Sequence, residues 1–95
     1  MARANNGGWD FVKVGATYQY KEDWFIGEVI VLEDNSTDDM YAYKLQIIEA
    51  CDEPFTEDGI FDISHTKNME GYYSGMMQLY EDKEYSYTPK WKKPN

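Results

Sequence analysis

Apolar and polar side chains alternate with a period of two along four separate stretches of the chain. Nowhere do they repeat at the 3.6-residue spacing of an amphipathic helix of useful length. The longest alternating stretch, Trp24–Glu49, predicts a β-hairpin, with two arms rich in β-branched and aromatic residues around a polar connection, Asp34–Asp38. In the second arm Tyr41, Tyr43, Leu45 and Ile47 fall on one face, and Ala42, Lys44 and Gln46 on the other. The first arm is apolar on both faces, with Trp24, Ile26, Ile30 and Leu32 opposite Phe25, Val29 and Val31. A strand of that kind is either sandwiched or keeps one apolar face for a partner.

Before the hairpin, Val12–Tyr20 predicts a strand with Val12, Val14, Ala16, Tyr18 and Tyr20 facing inward, and Lys21-Glu22-Asp23 a polar turn. Gly15 in mid-strand, and Gly27 in the hairpin, mark places where the sheet is expected to bend. After the hairpin, Ala50–Gly59 reads as a loop, Ile60–Ser64 as a short strand with Phe61 and Ile63 inward, and His65–Glu70 as a polar connection. Gly71–Tyr80 predicts another strand, with Tyr73, Met77 and Leu79 facing one way and Tyr72, Met76 and Tyr80 the other; Tyr85–Thr88 predicts the last. Residues 1–10, polar and containing Asn5-Asn6-Gly7-Gly8, read as a flexible leader, 11–88 as the folded unit, and 89–95 as a basic, Pro-bracketed tail. The tail's Lys90-Trp91-Lys92-Lys93 can fold back on the acids, but a disordered end is the expectation.

Val14-Gly15 with Tyr18, followed by Trp24-Phe25-Ile26-Gly27-Glu28-Val29, resembles the first hairpin of SH3-like barrels of the Tudor or KOW kind, in which an aromatic-x-Gly-x-Val run opens the second strand. The resemblance implies a small barrel, and a family whose members bind nucleic acid, methylated side chains or other proteins. The long second and third strands and the acidic hairpin depart from that pattern, so only the fold carries over. The fold expected is all-β, a small antiparallel SH3-like barrel of five to six strands.

Charge narrows the functions this fold can serve. Eighteen acids face nine bases, a net charge of −9, and Glu33–Asp58 alone holds nine acids and one lysine. Phosphate backbones repel such a surface, which argues against direct nucleic-acid binding there. Cys51, the single cysteine, can close no internal disulfide and supplies no metal cluster, and the chain has neither an apolar leader nor a membrane-length run; the expected location is the cytoplasm. Asn35-Ser36-Thr37 matches a glycosylation sequon that such a location leaves unused.

Catalytic constellations are absent from the sequence. His65 is the one histidine, Ser74 sits outside any nucleophile-elbow motif, and no glycine-rich phosphate loop precedes a helix. Asp34–Asp39 places oxygens at alternate positions like a calcium loop, but Asp39 stands where the glycine belongs and Leu45 where the bidentate glutamate belongs; a hairpin tip bonded to its own backbone accounts for it better. The expectation is therefore a non-enzymatic protein-interaction module without cofactor or metal, of the accessory or inhibitory kind that phages and mobile elements encode. Its acidic face would dock on a basic partner, including a nucleic-acid-binding enzyme. The docking residues expected are Glu33, Asp34, Asp38, Asp39, Asp52, Glu53, Glu57 and Asp58, with Trp24 as the aromatic anchor. The competing reading is a structural subunit, a homo-oligomer associating through its apolar strand and sheet edges.

Overall fold

The computed structural model describes residues 9–67, 77–83 and 85–94. The predicted hairpin is its centre: strand β2 (Phe25–Asp34) pairs antiparallel with β3 (Met40–Ala50). Tyr41, Tyr43, Leu45 and Ile47 are buried while Ala42, Lys44 and Gln46 are half-buried, so the second arm alternates as its pattern predicts. On the first arm Phe25, Val29 and Val31 enter the core; Ile26, Ile30 and Leu32 are half-buried, and Trp24 is 71% exposed.

Strands β1 (Thr17–Glu22), β4 (Ile60–Thr66), β5 (Met77–Tyr80) and β6 (Trp91–Lys92) complete an antiparallel sheet in the order β4-β3-β2-β1-β5, with β6 paired to the end of β3 beyond β4. No helix occurs among the described residues, so none is long and apolar enough to cross a membrane. In a flat sheet β1 and β4 would lie about 14 Å apart, three strand spacings. Here the rings of Tyr20 on β1 and Phe61 on β4 meet at 5.1 Å, so the sheet curls into a half-barrel around its own apolar face. Two irregularities in the β2–β3 register, at Glu28/Val29 and Val31/Glu33, supply part of that curl, because a bulge bends and twists its strand. Gly27 lies beside the first, and a Cβ there would stand 2.8 Å from the Glu49 carbonyl oxygen.

The first strand begins later than its alternation suggests. Val14 is 58% exposed and Gly15 turns the chain at φ 88°, so Val12–Gly15 form a turn, although Val12 is buried as its pattern predicts and Gly15 and Ala16 still exchange backbone hydrogen bonds with Val31 at 2.9 and 3.0 Å. That turn is nevertheless packed. Trp9, read from the sequence as leader, is fully buried between the rings of Tyr41, Tyr43 and His65. Tyrosine hydroxyls fasten the segment: Tyr43 donates to the Trp9 carbonyl (3.2 Å), Tyr41 to Asp10 Oδ1 (2.7 Å) and Tyr18 to the Phe11 carbonyl (2.9 Å). These three tyrosines thus bury their rings and satisfy their hydroxyls on an N-terminal strap.

The C-terminal expectations are reversed. Tyr85–Thr88 joins no ladder, whereas Trp91–Lys92, assigned to a disordered tail, pairs with Glu49 and Ala50, and the backbone N–H groups of Lys90 and Lys93 donate to Ala50 and Ile48. Tyr72, Tyr73, Ser74, Met76 and the side chain of Met77 lie outside the described residues; Leu79 is buried in the interior core and Tyr80 is buried against Tyr85.

Candidate functional site

The eight acids read from the sequence as a docking surface divide into two groups at opposite ends of β3. Glu33, Asp34, Asp38 and Asp39 sit exposed at the hairpin tip. There the chain bonds to itself: Asp34 Oδ1 accepts from the Ser36 N–H (3.0 Å), Ser36 Oγ accepts from the Ala42 N–H (3.0 Å), and the Thr37 N–H donates to the Met40 carbonyl (2.8 Å). The Ser36 backbone and hydroxyl bonds hold the Asp34 carboxyl below its ordinary range. Two cations offset the tip. Glu33 faces Lys44 across the hairpin, and Lys67 lines one hollow with Asp38 and Asp39 and lies over the Tyr41 ring. Among the described residues no cluster of three or more Asp, Glu, His or Cys could hold a metal ion.

Asp52, Glu53, Glu57 and Asp58 occupy the loop that joins β3 to β4, and they are exposed. Asp52 Oδ1 accepts from the Glu53 N–H (2.7 Å) and Asp58 Oδ1 from the Ile60 N–H (3.0 Å), while Gly59 closes the turn at φ 75°. The loop is tied to the β2 start by the Cys51 N–H, which donates to the Ile26 carbonyl at 2.9 Å. Asp23, at φ 54°, ends the β1–β2 turn and delivers Trp24 to this same end. A chain of edge-to-face rings runs from Trp24 through Phe25 and Phe55 to Phe61, at 6.3, 6.0 and 5.0 Å. Phe55 is 56% exposed, so one large ring faces solvent within the acidic loop and a second, Trp24, at the same end of the sheet. Trp24 therefore joins the loop acids, and the tip acids stand apart from both.

A second polar arrangement, with no counterpart in the sequence reading, crosses the outer face of the sheet. The registers align Tyr80, Gln19, Glu28, Glu49 and Lys92 in one transverse row over five strands. Residues 85–89 lie across it. Gln19, 1% exposed, donates from Nε2 to the Tyr85 carbonyl (2.8 Å) and accepts the Tyr85 N–H at Oε1 (2.9 Å), and the Tyr87 hydroxyl donates to Glu49 Oε2 (3.0 Å). Between strap and sheet is a cleft of about 370 Å³. Burial raises the Glu28 carboxyl above the ordinary carboxylate range, the Glu49 charge adds to the rise, and Lys83 opposes it. Burial, followed by the bond to Glu49, raises the Tyr87 phenol as well. Gln19 between two tyrosines and Glu28 in a largely apolar strand were the available signal; the strap that covers them was not legible. Comparison with protein-family models, curated proteins and solved structures finds no significant match.

Proposed function

We propose that the chain is a non-enzymatic interaction module that docks on a basic protein surface through the loop end of the half-barrel. The observation that carries this reading is the coincidence of exposed Trp24 and Phe55 with Asp52, Glu53, Glu57 and Asp58. Desolvated aromatic rings hold a contact, and opposite charge around them raises the rate of encounter. Lysines flank both ends, Lys44 and Lys67 at the tip and Lys90, Lys92 and Lys93 on and beside β6 near the loop, so the loop end is favoured because only there do the acids stand with two exposed rings, Trp24 and Phe55. The inhibitory form of this reading, a cytoplasmic phage or mobile-element protein seated in the nucleic-acid groove of a basic enzyme, rests on the same charge argument. The meander from β1 to β4 with β5 returned to β1 supports the SH3-like assignment of the half-barrel.

The test is surface plasmon resonance with a partner recovered from a lysate of the source cells. Glu53→Lys with Glu57→Lys should slow association about tenfold or more at low salt. Trp24→Ala should speed dissociation, because the ring is an anchor and not a steering charge. If both folded variants associate and dissociate like wild type, the loop end is a solvated surface and the reading fails.

A further inference from the structure

The outer face of the sheet carries an occupant from the far end of the chain. Residues 85–93 form an arm that follows the outermost strand β5 through Glu81, Asp82 and Lys83, all exposed, then crosses the sheet and ends as β6 on β3. Over β1 and β2 the arm joins no ladder and is held by side chains. The buried Gln19 directs both ends of its amide to the Tyr85 peptide, at 2.8 and 2.9 Å, and the Tyr87 hydroxyl reaches Glu49 at 3.0 Å. The Tyr85 ring meets Tyr80 edge-on and lies under Lys21 Nζ, and the half-buried Trp91 packs against the margin of the core. Charge matches the two parts. Residues 85–95 hold three lysines and no acid, while residues 1–84 hold eighteen acids and six bases, so a segment of +3 lies on a body of −12.

We infer that this arm is exchangeable and that the groove beneath it takes the same arm from a second copy of the chain. The product is a dimer in which each body holds the other's residues 85–93. A second copy is the occupant because it requires no new contact: each bond made within one chain is remade between two, and only the exposed connection at Glu81–Lys83 opens. A foreign segment would have to displace the arm with contacts of its own. Within one chain a short flexible connection holds the arm at an effective concentration on the order of 1 mM, so exchange sets in as the protein approaches that concentration. Salt acts with a definite sign. Attraction between arm and body is the same in monomer and dimer and cancels, which leaves the repulsion between two chains of −9, and salt screens it. Exchange should therefore increase with ionic strength, whereas a dimer held by one chain's lysines on another's acids should weaken. The inference is independent of the docking reading, because no foreign partner takes part.

The experiment has two arms, both on the full chain. Sedimentation equilibrium at up to about 1 mM protein should show a reversible dimer with a dissociation constant on the order of 1 mM, tighter at about 0.3 M salt than at about 0.02 M. The second arm adds a synthetic peptide of residues 85–95, acetylated at its N-terminus, and follows NMR shifts at Gln19, Glu49 and Ala50. Trp91→Ala in the protein loosens the resident arm and leaves the groove intact, so the peptide should bind that variant about tenfold more tightly than wild type. N-methylation of the peptide at Tyr85 removes the donor to Gln19 Oε1 and should weaken binding about tenfold, with no consequence for the protein's fold. A chain that stays monomeric at both salts, a dimer that weakens with salt, a Trp91→Ala variant that binds the peptide no better, or undiminished binding of the N-methyl peptide would each overturn the inference. So would equal binding of a scrambled peptide of the same composition, which would make the groove a site for basic segments in general and not for a second copy.

Discussion

At the scale of single residues, the core makes the sharpest demands. Leu45 is fully buried on the face its alternation assigns, so Leu45→Ala should cost about 2–5 kcal/mol in urea melts. Lys44→Ala, on the opposite face, should change stability by within about 0.5 kcal/mol. Gly27 is a different case. A methyl group there meets backbone at 2.8 Å and the Ala50 Cβ at 3.1 Å, so β2 and β3 must separate, and Gly27→Ala should cost about 1–3 kcal/mol. The sequence pointed to a bend at Gly27. The physical reason is the close approach of β3, and the extra residue that bends the ladder, Ile48, lies on the other strand. No composition signal marks Ile48, which is why the site of the bend was legible and its cause was not. Glu28 adds a pH dependence of definite sign. Its carboxyl titrates above the ordinary range in the folded chain, so the folded state loses relative stability as pH rises from the unfolded value through the raised one. Glutamine cannot ionise. Glu28→Gln should therefore be more stable at about pH 7, by about 0.2–1 kcal/mol for relief of a cross-strand repulsion, and the gain should vanish near pH 3.

At the scale of elements, the alternating strands declared themselves and the straps did not. Tyr85 and Tyr87 share a face as strand residues do, which is why Tyr85–Thr88 reads as a strand. Their backbone is spent instead on side chains, with the Tyr85 peptide pairing reciprocally with the Gln19 amide across 66 positions of sequence. Trp91–Lys92 does form a ladder, but two residues are too few to show a period. Trp9 was missed for the same reason, since one buried indole beside a glycine pair carries no pattern. The strap makes its own prediction. Gln19→Leu keeps the volume but leaves both groups of the Tyr85 peptide without their partner, at a cost of about 1–3 kcal/mol if they remain buried. Because residues 85–89 cross the sheet without joining it, the strap should lift before the sheet melts. Hydrogen exchange should show this as a faster Tyr85 amide with β2 and β3 amides unchanged. Uniformly faster exchange would mean that strap and sheet are one cooperative unit.

At the scale of the molecule, the question is whether partners meet one acidic body or two acidic ends. β3 is eleven residues long, so the hairpin tip and the β3–β4 loop are separated by up to about 33 Å along the strand, and the longest dimension of the fold is 35 Å. Screening lengths bracket that distance: about 30 Å at 0.01 M ionic strength and about 8 Å at 0.15 M. At the lower salt a basic partner approaching from any side feels the whole charge of −9, and reversing acids at either end should slow its association. At the higher salt only charges within a few ångströms of the contact still act. Asp38→Lys with Asp39→Lys should then associate within about twofold of wild type, while Glu53→Lys with Glu57→Lys remains slow. Each pair changes the net charge by the same amount, so total charge cannot explain a difference between them; position must. Association rates for the two double variants at both salts decide the matter. Equal slowing at 0.15 M would place the contact at both ends or between them, and a slow tip variant beside a normal loop variant would move the docking surface to the hairpin tip.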